Sequence, residues 1–335
     1  MRLKLSAPTI ILTVSPVLMV ATLLLSVYYG TKSIEISTII DAIFHFDEAN
    51  IDHQIVRVSR LPRAIGALLI GTFLAVSGAL MQGMTRNYLA SPAIMGVTDG
   101  SIFFITMVMI LLPAASPLDM VIYSMIGSAL GAALVFGIAR MIPGGFSPVR
   151  MAVLGTIVGM FLNGVSQAMS TYFQISQDIS FWYNARLYQV DPTILMISIP
   201  FAVIGLILAF SMSRSVTALS LGDDVAVNLG LNTTLIKGVT MLSVVILTGI
   251  SVALAGKIAF IGLIIPHITR FLVGQDYRRI IPCAAMLGGL FLVWCDLISR
   301  FVNFPFETPV GVVTAAFGVP FFLYLIRTKG GGRNG

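Results

Sequence analysis

Ionisable side chains are scarce in this chain: Asp, Glu, Lys and Arg supply 10% of its 335 residues, and histidine occurs three times. With 57% apolar residues and a mean hydropathy of +0.97, the polar residues that remain are too few to cover a water-exposed surface. That shortage excludes an ordinary soluble domain and places the chain in a bilayer. Cysteine is limited to Cys283 and Cys295. They fall in one predicted helix with backbones roughly 18 Å apart, beyond disulfide reach, and read as inert core thiols. No CxxC, HExxH or Cys/His cluster is present, and His45, His53 and His267 are scattered, so a metal site has no support. A GxxxxGK[ST] run is also missing, so any ATP and Mg must be handled by a separate protein. The net charge of +6 comes from basic residues dispersed among loops, without the basic stripe that nucleic acid binding needs.

A hydrocarbon core about 30 Å thick takes roughly 20 apolar residues in helix, so this length holds about ten spans in a single polytopic domain, 1–335. The expected fold class is an all-α membrane protein. Apolar stretches read against loop charge place spans at 8–29, 62–82, 93–113, 119–142, 149–172, 192–212, 238–256, 281–301 and 310–327. A further piece, 258–268, is too short to cross alone and ends near Pro266, so it reads as a half-helix packed inside the protein. Counted as a crossing, it makes ten. The start has a basic n-region, but its apolar run exceeds a signal-peptide core and lacks an A-x-A-like site, so it is read as the first membrane helix. With the N-terminus inside, Arg2, Lys4, Arg86, Arg140, Arg150, Arg214, Lys237, Arg270, Arg278, Arg279, Arg327, Lys329 and Arg333 fall on the inner side. Both termini are therefore expected in the cytoplasm, with 328–335 as a flexible, glycine-rich tail.

Lys32, Arg186, Lys257, Arg300 and the cluster Arg57, Arg60 and Arg63 oppose that bias by falling on the outer side. Charges at the disfavoured end of a span want a partner. Asp99 and Asp296, near span ends, read as structural partners for polar groups rather than proton carriers. The fifth span carries Gly155, Gly159, Asn163, Ser166, Gln167 and Ser170 at three- and four-residue steps, giving one small, polar face that avoids lipid. Such a face lines a water-filled path or glues neighbouring helices. Gly127 with Gly131, and Gly155 with Gly159, are small-xxx-small pairs that let helices pack closely. The cytoplasmic loop 213–237 is not a plain linker: Gly222, Asp223 and Asp224 start a short helix whose apolar face is Leu219, Leu221, Val225, Ala226 and Leu229. Its polar face lacks the Lys and Arg of a lipid-binding helix, so docking into a groove on a partner protein fits better.

The ordered segments RLPRAIGALLIGTFLAVSGALMQGMTRNYLASPAIMGV, SLGDDVAVNLGL, IAFIGLIIPHITRFLVG, DLISRF and TPVGVVTAAFGVPFFLYLI resemble the signatures of the FecCD family, over nearly the whole chain. That family comprises the membrane permeases of ATP-binding-cassette (ABC) importers for iron-siderophores, haem and vitamin B12. The resemblance implies the ten-helix type II importer permease fold in a bacterial cytoplasmic membrane. It also implies a second permease chain, as a homo- or heterodimer, two ABC ATPase subunits and an extracytoplasmic substrate-binding protein. By the same resemblance Arg60, Arg63 and Arg300 match arginines that meet glutamates of the binding protein, through charge-assisted pairs. The segment with Leu219, Leu221, Gly222, Asp223, Asp224, Val225, Ala226 and Leu229 matches the helix that couples to the ATPase. Ser147 and Pro148 match the inner gate region, beside the path face of Asn163, Ser166, Gln167 and Ser170.

Two departures from the family pattern stand out. Tyr88 occupies the proline position of an RNPLA motif, and the segment DISFWYNARLYQVD lacks W-x-x-G-S after its tryptophan. WYNARL is similar to segments of iron-siderophore permeases, which favours that substrate over vitamin B12 or haem. The expected function is a non-catalytic transport subunit with no cofactor of its own. The rival readings are an ion-coupled secondary transporter, disfavoured by the few ionisable groups in the spans, and an intramembrane enzyme using His267, disfavoured because no motif supplies a nucleophile or metal.

Overall fold

The computed structural model describes residues 6–30, 32–143, 147–185, 187–304 and 306–330. Arg2, Lys4, Arg186, Arg333, residues 144–146 of the expected gate loop and tail residues 331–335 lie outside the described residues. The first helix, α1 (Ala7–Tyr28), is followed by short α2 (Ile36–Phe44) and α3 (Ile51–Gln54). A π-helical turn, Ile55–Arg60, leads on into α4 (Leu61–Thr85). Then come α5 (Val97–Leu111), α6 (Pro117–Met141), α7 (Pro148–Tyr172), short α8 (Ser176–Asn184) and α9 (Pro192–Leu221). The chain finishes with α10 (Asp223–Asn228), α11 (Thr233–Ala255), α12 (Ile261–Val273), α13 (Tyr277–Phe301) and α14 (Val310–Gly330). Among the described residues seven helices are long and apolar enough to cross a membrane, while Val97–Leu111, Ile261–Val273 and Val310–Leu325 are shorter apolar helices.

Local signals explain where the helices begin. Pro117, Pro148 and Pro192 stand at first-turn positions, where a missing N–H costs little. Ser116 and Asp119 form a reciprocal capping box, and Asp191, Asn232 and Asp276 accept from first-turn amides. Helix α4 occupies the centre, buried along most of its length and packed by α9, α11, α12 and α13. Small residues allow this: a Cβ at Gly71 would overlap the Gly288 carbonyl of α13, and one at Gly78 would overlap the Gly262 carbonyl of α12. Gly127 and Gly131 of α6 likewise lie against Gly100 and Gly96, as their spacing implied.

Four boundaries differ clearly from the sequence reading. The span expected at 93–113 becomes helical only at Val97, because Pro92 and the left-handed Gly96 (φ 74°) interrupt residues 86–96. The span expected to end at 212 continues to Leu221, so 213–221 is helix rather than loop. Thr217 and Ser220 return their hydroxyls to the carbonyls of Ser213 and Thr217, while Val216 and Leu219 pack into the core. Pro266 does not end the short piece, and α12 runs on to Val273. Proline at 266 deprives the Gly262 carbonyl of its i+4 donor. The Gln82 amide of α4 supplies one, at 3.3 Å to Gly262 O and 3.2 Å to Leu263 O. At the other end of the chain α14 extends to Gly330, into the segment read as tail.

The contact between α4 and α12 yields a prediction. Gly78→Ala sets a methyl group against the Gly262 backbone and is expected to cost roughly 1–3 kcal/mol. Gly137→Ala, inside α6 with its Cβ in open space, is expected to raise stability by about 0.5–1 kcal/mol. Thermal unfolding of both variants in detergent checks this, and equal midpoints would refute the close crossing.

Candidate functional site

At the end of the bundle where α1 finishes and α4 begins, four terminal carbonyls of α1 have no following turn to accept from. Leu25 O accepts from the Tyr29 amide at 2.9 Å. Ser26 O accepts from Arg300 at 2.6 Å, and Val27 O and Tyr28 O each accept from Arg60 at 2.9 Å. The same guanidiniums continue along the chain, Arg300 to Tyr29 O at 2.6 Å and Arg60 to Lys32 O. Cations here also meet the negative end of the helix dipole. Gly30 makes the space, since a Cβ there would lie 2.6 Å from an Arg60 nitrogen.

Arg63 sits between two carboxylates. Its Nε donates to Asp296 at 2.9 Å, and Nη1 donates to both oxygens of Glu307 at 2.8 Å. Asp296 is shared with Arg300 one turn further along α13. The network therefore ties α1, α4, α13 and the segment before α14 together. Asp296 is a structural partner, as its place near a span end suggested. Glu307 was missed as a site residue, and its one signal was an acid standing alone in the apolar stretch before α14. Arg57 stays apart, with its guanidinium over the Phe46 ring at 4.5 Å.

Arg60, Arg63 and Arg300 are only 5%, 7% and 3% exposed, and their guanidiniums turn to internal acceptors. The reason is physical: a guanidinium next to unmet carbonyls and carboxylates in an apolar setting gains more by turning inward.

The polar face of α7 also turns inward. Gly155 packs on the backbone of Ile94 and Met95, and Gly159 on the Asp99 carboxylate of α5. Asn163 donates to Asp99 at 2.7 Å, and Lys257, from the segment between α11 and α12, pairs with the same carboxylate. Ser166 and Ser170 are buried, and only Gln167 of the four expected path residues is exposed. Asn163 is half-buried against Asp99, and Ser170 returns its hydroxyl to the Gln167 carbonyl. Ser147 is exposed as the residue preceding α7, and Pro148 opens that helix.

At the opposite end, Gly222 (φ 140°) breaks α9 from α10, a backbone conformation that side chains disfavour. Leu221, Val227 and Leu229 are 63%, 58% and 64% exposed, and Val225 joins them. Leu219 and Ala226 are fully buried and belong to the core instead, correcting their place on the exposed face. Val227 was missed because the helix is only six residues long and its facing is set by packing rather than by period. Asp223 holds α10 in place, accepting from Lys237 of α11 at 3.0 Å and facing Arg86 at 3.7 Å, while Asp224 is exposed. Close by, the Arg278 guanidinium holds the Asp276 carboxyl below its ordinary range, and Thr217 of α9 donates to it at 3.3 Å. Tyr88, in the proline position, lies under Arg270 at 4.2 Å from ring to guanidinium, and Arg270 also donates to Gln82 at 3.0 Å. Among the described residues no group of three or more His, Cys, Asp or Glu is placed to hold a metal ion.

Comparison with known proteins adds an independent line. The FecCD transport family matches residues 18–328. The chain is 61% identical over 326 residues to the iron-uptake system permease protein FeuB of Bacillus subtilis, covering 97% of this chain and 98% of that one. It is 51% identical over 305 residues to the iron(3+)-hydroxamate import system permease protein FhuB of the same organism, covering 91% and 79%. Among solved structures, a metal-chelate type ABC transporter in an inward-facing conformation superposes with a TM-score of 0.80 at 25% identity, covering 95% of this chain and 99% of that one.

The arginine network predicts an asymmetry between buried and exposed pairs. Asp296→Ala leaves Arg63 and Arg300 without their shared carboxylate and is expected to cost about 3–5 kcal/mol. Lys32→Ala breaks the largely exposed pair with Asp52 and is expected to cost under about 1 kcal/mol. Unfolding midpoints of the two variants in detergent measure the difference, and a mild Asp296→Ala would mean that the network does not hold the helices.

Proposed function

The chain belongs to the FecCD transport family, and from that membership we propose that it is the membrane-spanning permease subunit of an ABC importer for ferric iron-siderophore complexes. The observation that carries this reading is the 61% identity to an iron-uptake permease over 97% of the chain. The helical bundle is compatible with the role: seven helices are long and apolar enough to cross a membrane, and the three shorter apolar helices bring the number to the ten that this reading takes. Both termini lie in the cytoplasm, and the protein is a multi-pass component of a bacterial cytoplasmic membrane. It works beside a second permease chain.

On this reading the end with Arg60, Arg63 and Arg300 is the outer mouth, and an extracytoplasmic binding protein docks there. The three arginines frame the mouth by fixing α1, α4 and α13. The α10 end is cytoplasmic. Leu221, Val225, Val227 and Leu229 form the apolar face that enters a cleft of the ATPase, while Asp223 braces α10 against α4 and α11. The ATPase subunits bind and hydrolyse ATP with Mg, and this chain performs no chemistry. Ser147 and Pro148 begin the helix nearest the inner gate, and Gln167 faces the path between the two permease chains.

Two measurements test the reading. Deletion of the chain should abolish iron-siderophore uptake, and uptake should follow ATP rather than the proton gradient. Uptake that survives loss of the ATPase but collapses with the gradient would mark an ion-coupled transporter instead. Leu221→Asp with Leu229→Asp should abolish co-purification of the ATPase while membrane insertion is retained. Normal co-purification would show that α10 is not the coupling element.

A further inference from the structure

A groove of about 660 Å³ runs between α6 and α11 beside the C-terminal end of α4, within the roughly 300–1,000 Å³ range of ligand pockets. Small side chains on α6 hollow out its wall at Ala129, Ala132 and Ala133, facing Met241 and Leu242 of α11. Gly238 adds to the hollow, since a Cβ there would meet open space. Ala129, Ala133 and Leu242 are exposed on the surface of helices long and apolar enough to cross a membrane, so the groove opens sideways toward the lipid-facing side. The polar character is gathered at one end, where Arg86, Lys237 and Asp223 line the mouth.

Charge at that mouth is unbalanced. Arg86 and Lys237 contribute two positive charges against one on Asp223. Lys237 spends one of its three donors on Asp223 at 3.0 Å, while Arg86 stands 3.7 Å away, longer than a hydrogen bond. All three side chains are between 40% and 50% exposed. A phosphodiester carries one negative charge and several acceptor oxygens, which match this excess and these donors. An apolar slot continuous with such a mouth, on a membrane-spanning surface, matches an acyl chain joined to that phosphate.

We propose that the groove is a binding site for one anionic phospholipid, with an acyl chain between α6 and α11 and the headgroup phosphate on Arg86 and Lys237. The site lies on the outside of the α6/α11 pair, and it needs neither substrate nor nucleotide. Because Asp223 begins α10, the headgroup borders that helix.

Retention of lipid by the full chain, purified in its assembled transporter from bilayers of equal phosphatidylglycerol and phosphatidylcholine, tests the site by native mass spectrometry. The wild type should keep phosphatidylglycerol over phosphatidylcholine by about tenfold or more. Arg86→Gln with Lys237→Gln should bring that ratio close to one. Ala133→Trp should reduce retention of both lipids by filling the slot, and Gly238→Leu, placed on the other wall, should do the same if the tryptophan variant fails to fold. Equal retention of the two lipids by the wild type, or an unchanged ratio in the double glutamine variant, would overturn the proposal. So would displacement by inorganic phosphate alone, which would mark an anion site without a lipid chain. Loss of a second permease copy from the Ala133→Trp variant with lipid content unchanged would assign the groove to a protein interface instead. None of these readouts depends on transport, so failure here is distinct from failure of the importer reading.

Discussion

The last carbonyls of α1 are packed beneath α4 and α13, where protein burial keeps solvent from several of them, and Arg60 and Arg300 turn inward to meet them. In a bilayer an unmet backbone group costs several kcal/mol, so a helix end near other helices must be capped by side chains. Once the two guanidiniums are committed there, Asp296 is needed to balance Arg300, and Arg63 joins it with Glu307. A single requirement at one helix end thereby fixes how α1, α4 and α13 meet. Gly30 and the buried Ser26 follow from the same need for close approach.

The same constraint recurs deeper in the bundle. Proline at 266 frees the Gly262 carbonyl, and Gln82 of α4 answers it, helped by the Gly78 contact that brings the two backbones together. Gln82 in turn accepts from Arg270, whose guanidinium covers Tyr88. At the proline position of that loop the half-exposed Tyr88 ring stacks under the Arg270 guanidinium. Here the polar groups of the interior act as structural joints between helices.

At the α10 end the balance differs. Val225 and Val227 of the six-residue α10, with Leu221 and Leu229 flanking it, gain nothing from the chain's own core, and the brace at Asp223 holds them outward. A short helix is marginal alone, so its position depends on Gly222, which permits the sharp exit from α9, and on the ion pairs to α4 and α11. An apolar face held in this way is suited to a protein partner. The cationic mouth beside it has a different complement, a phosphate.

Much of this architecture was legible from composition and period. Apolar runs located the long helices, small residues at four-residue spacing marked the close crossings, and prolines with capping residues marked the helix starts. The residues Arg60, Arg63 and Arg300 stood out for the same reason, since charge is rare here and each example asks for a partner. Their direction was not legible, because the acceptors come from segments far away in the chain: Asp296 lies 233 residues from Arg63, and Ser26 lies 274 from Arg300. Ala226 and Val227 of α10 show the limit on a smaller scale. Six residues cover less than two helical turns, so periodicity leaves their facing open and packing of α9 against its neighbours settles it. Helix identity in this protein is a local property of apolar content, whereas the inward or outward choice of each polar side chain depends on which unmet backbone groups the folded chain brings beside it.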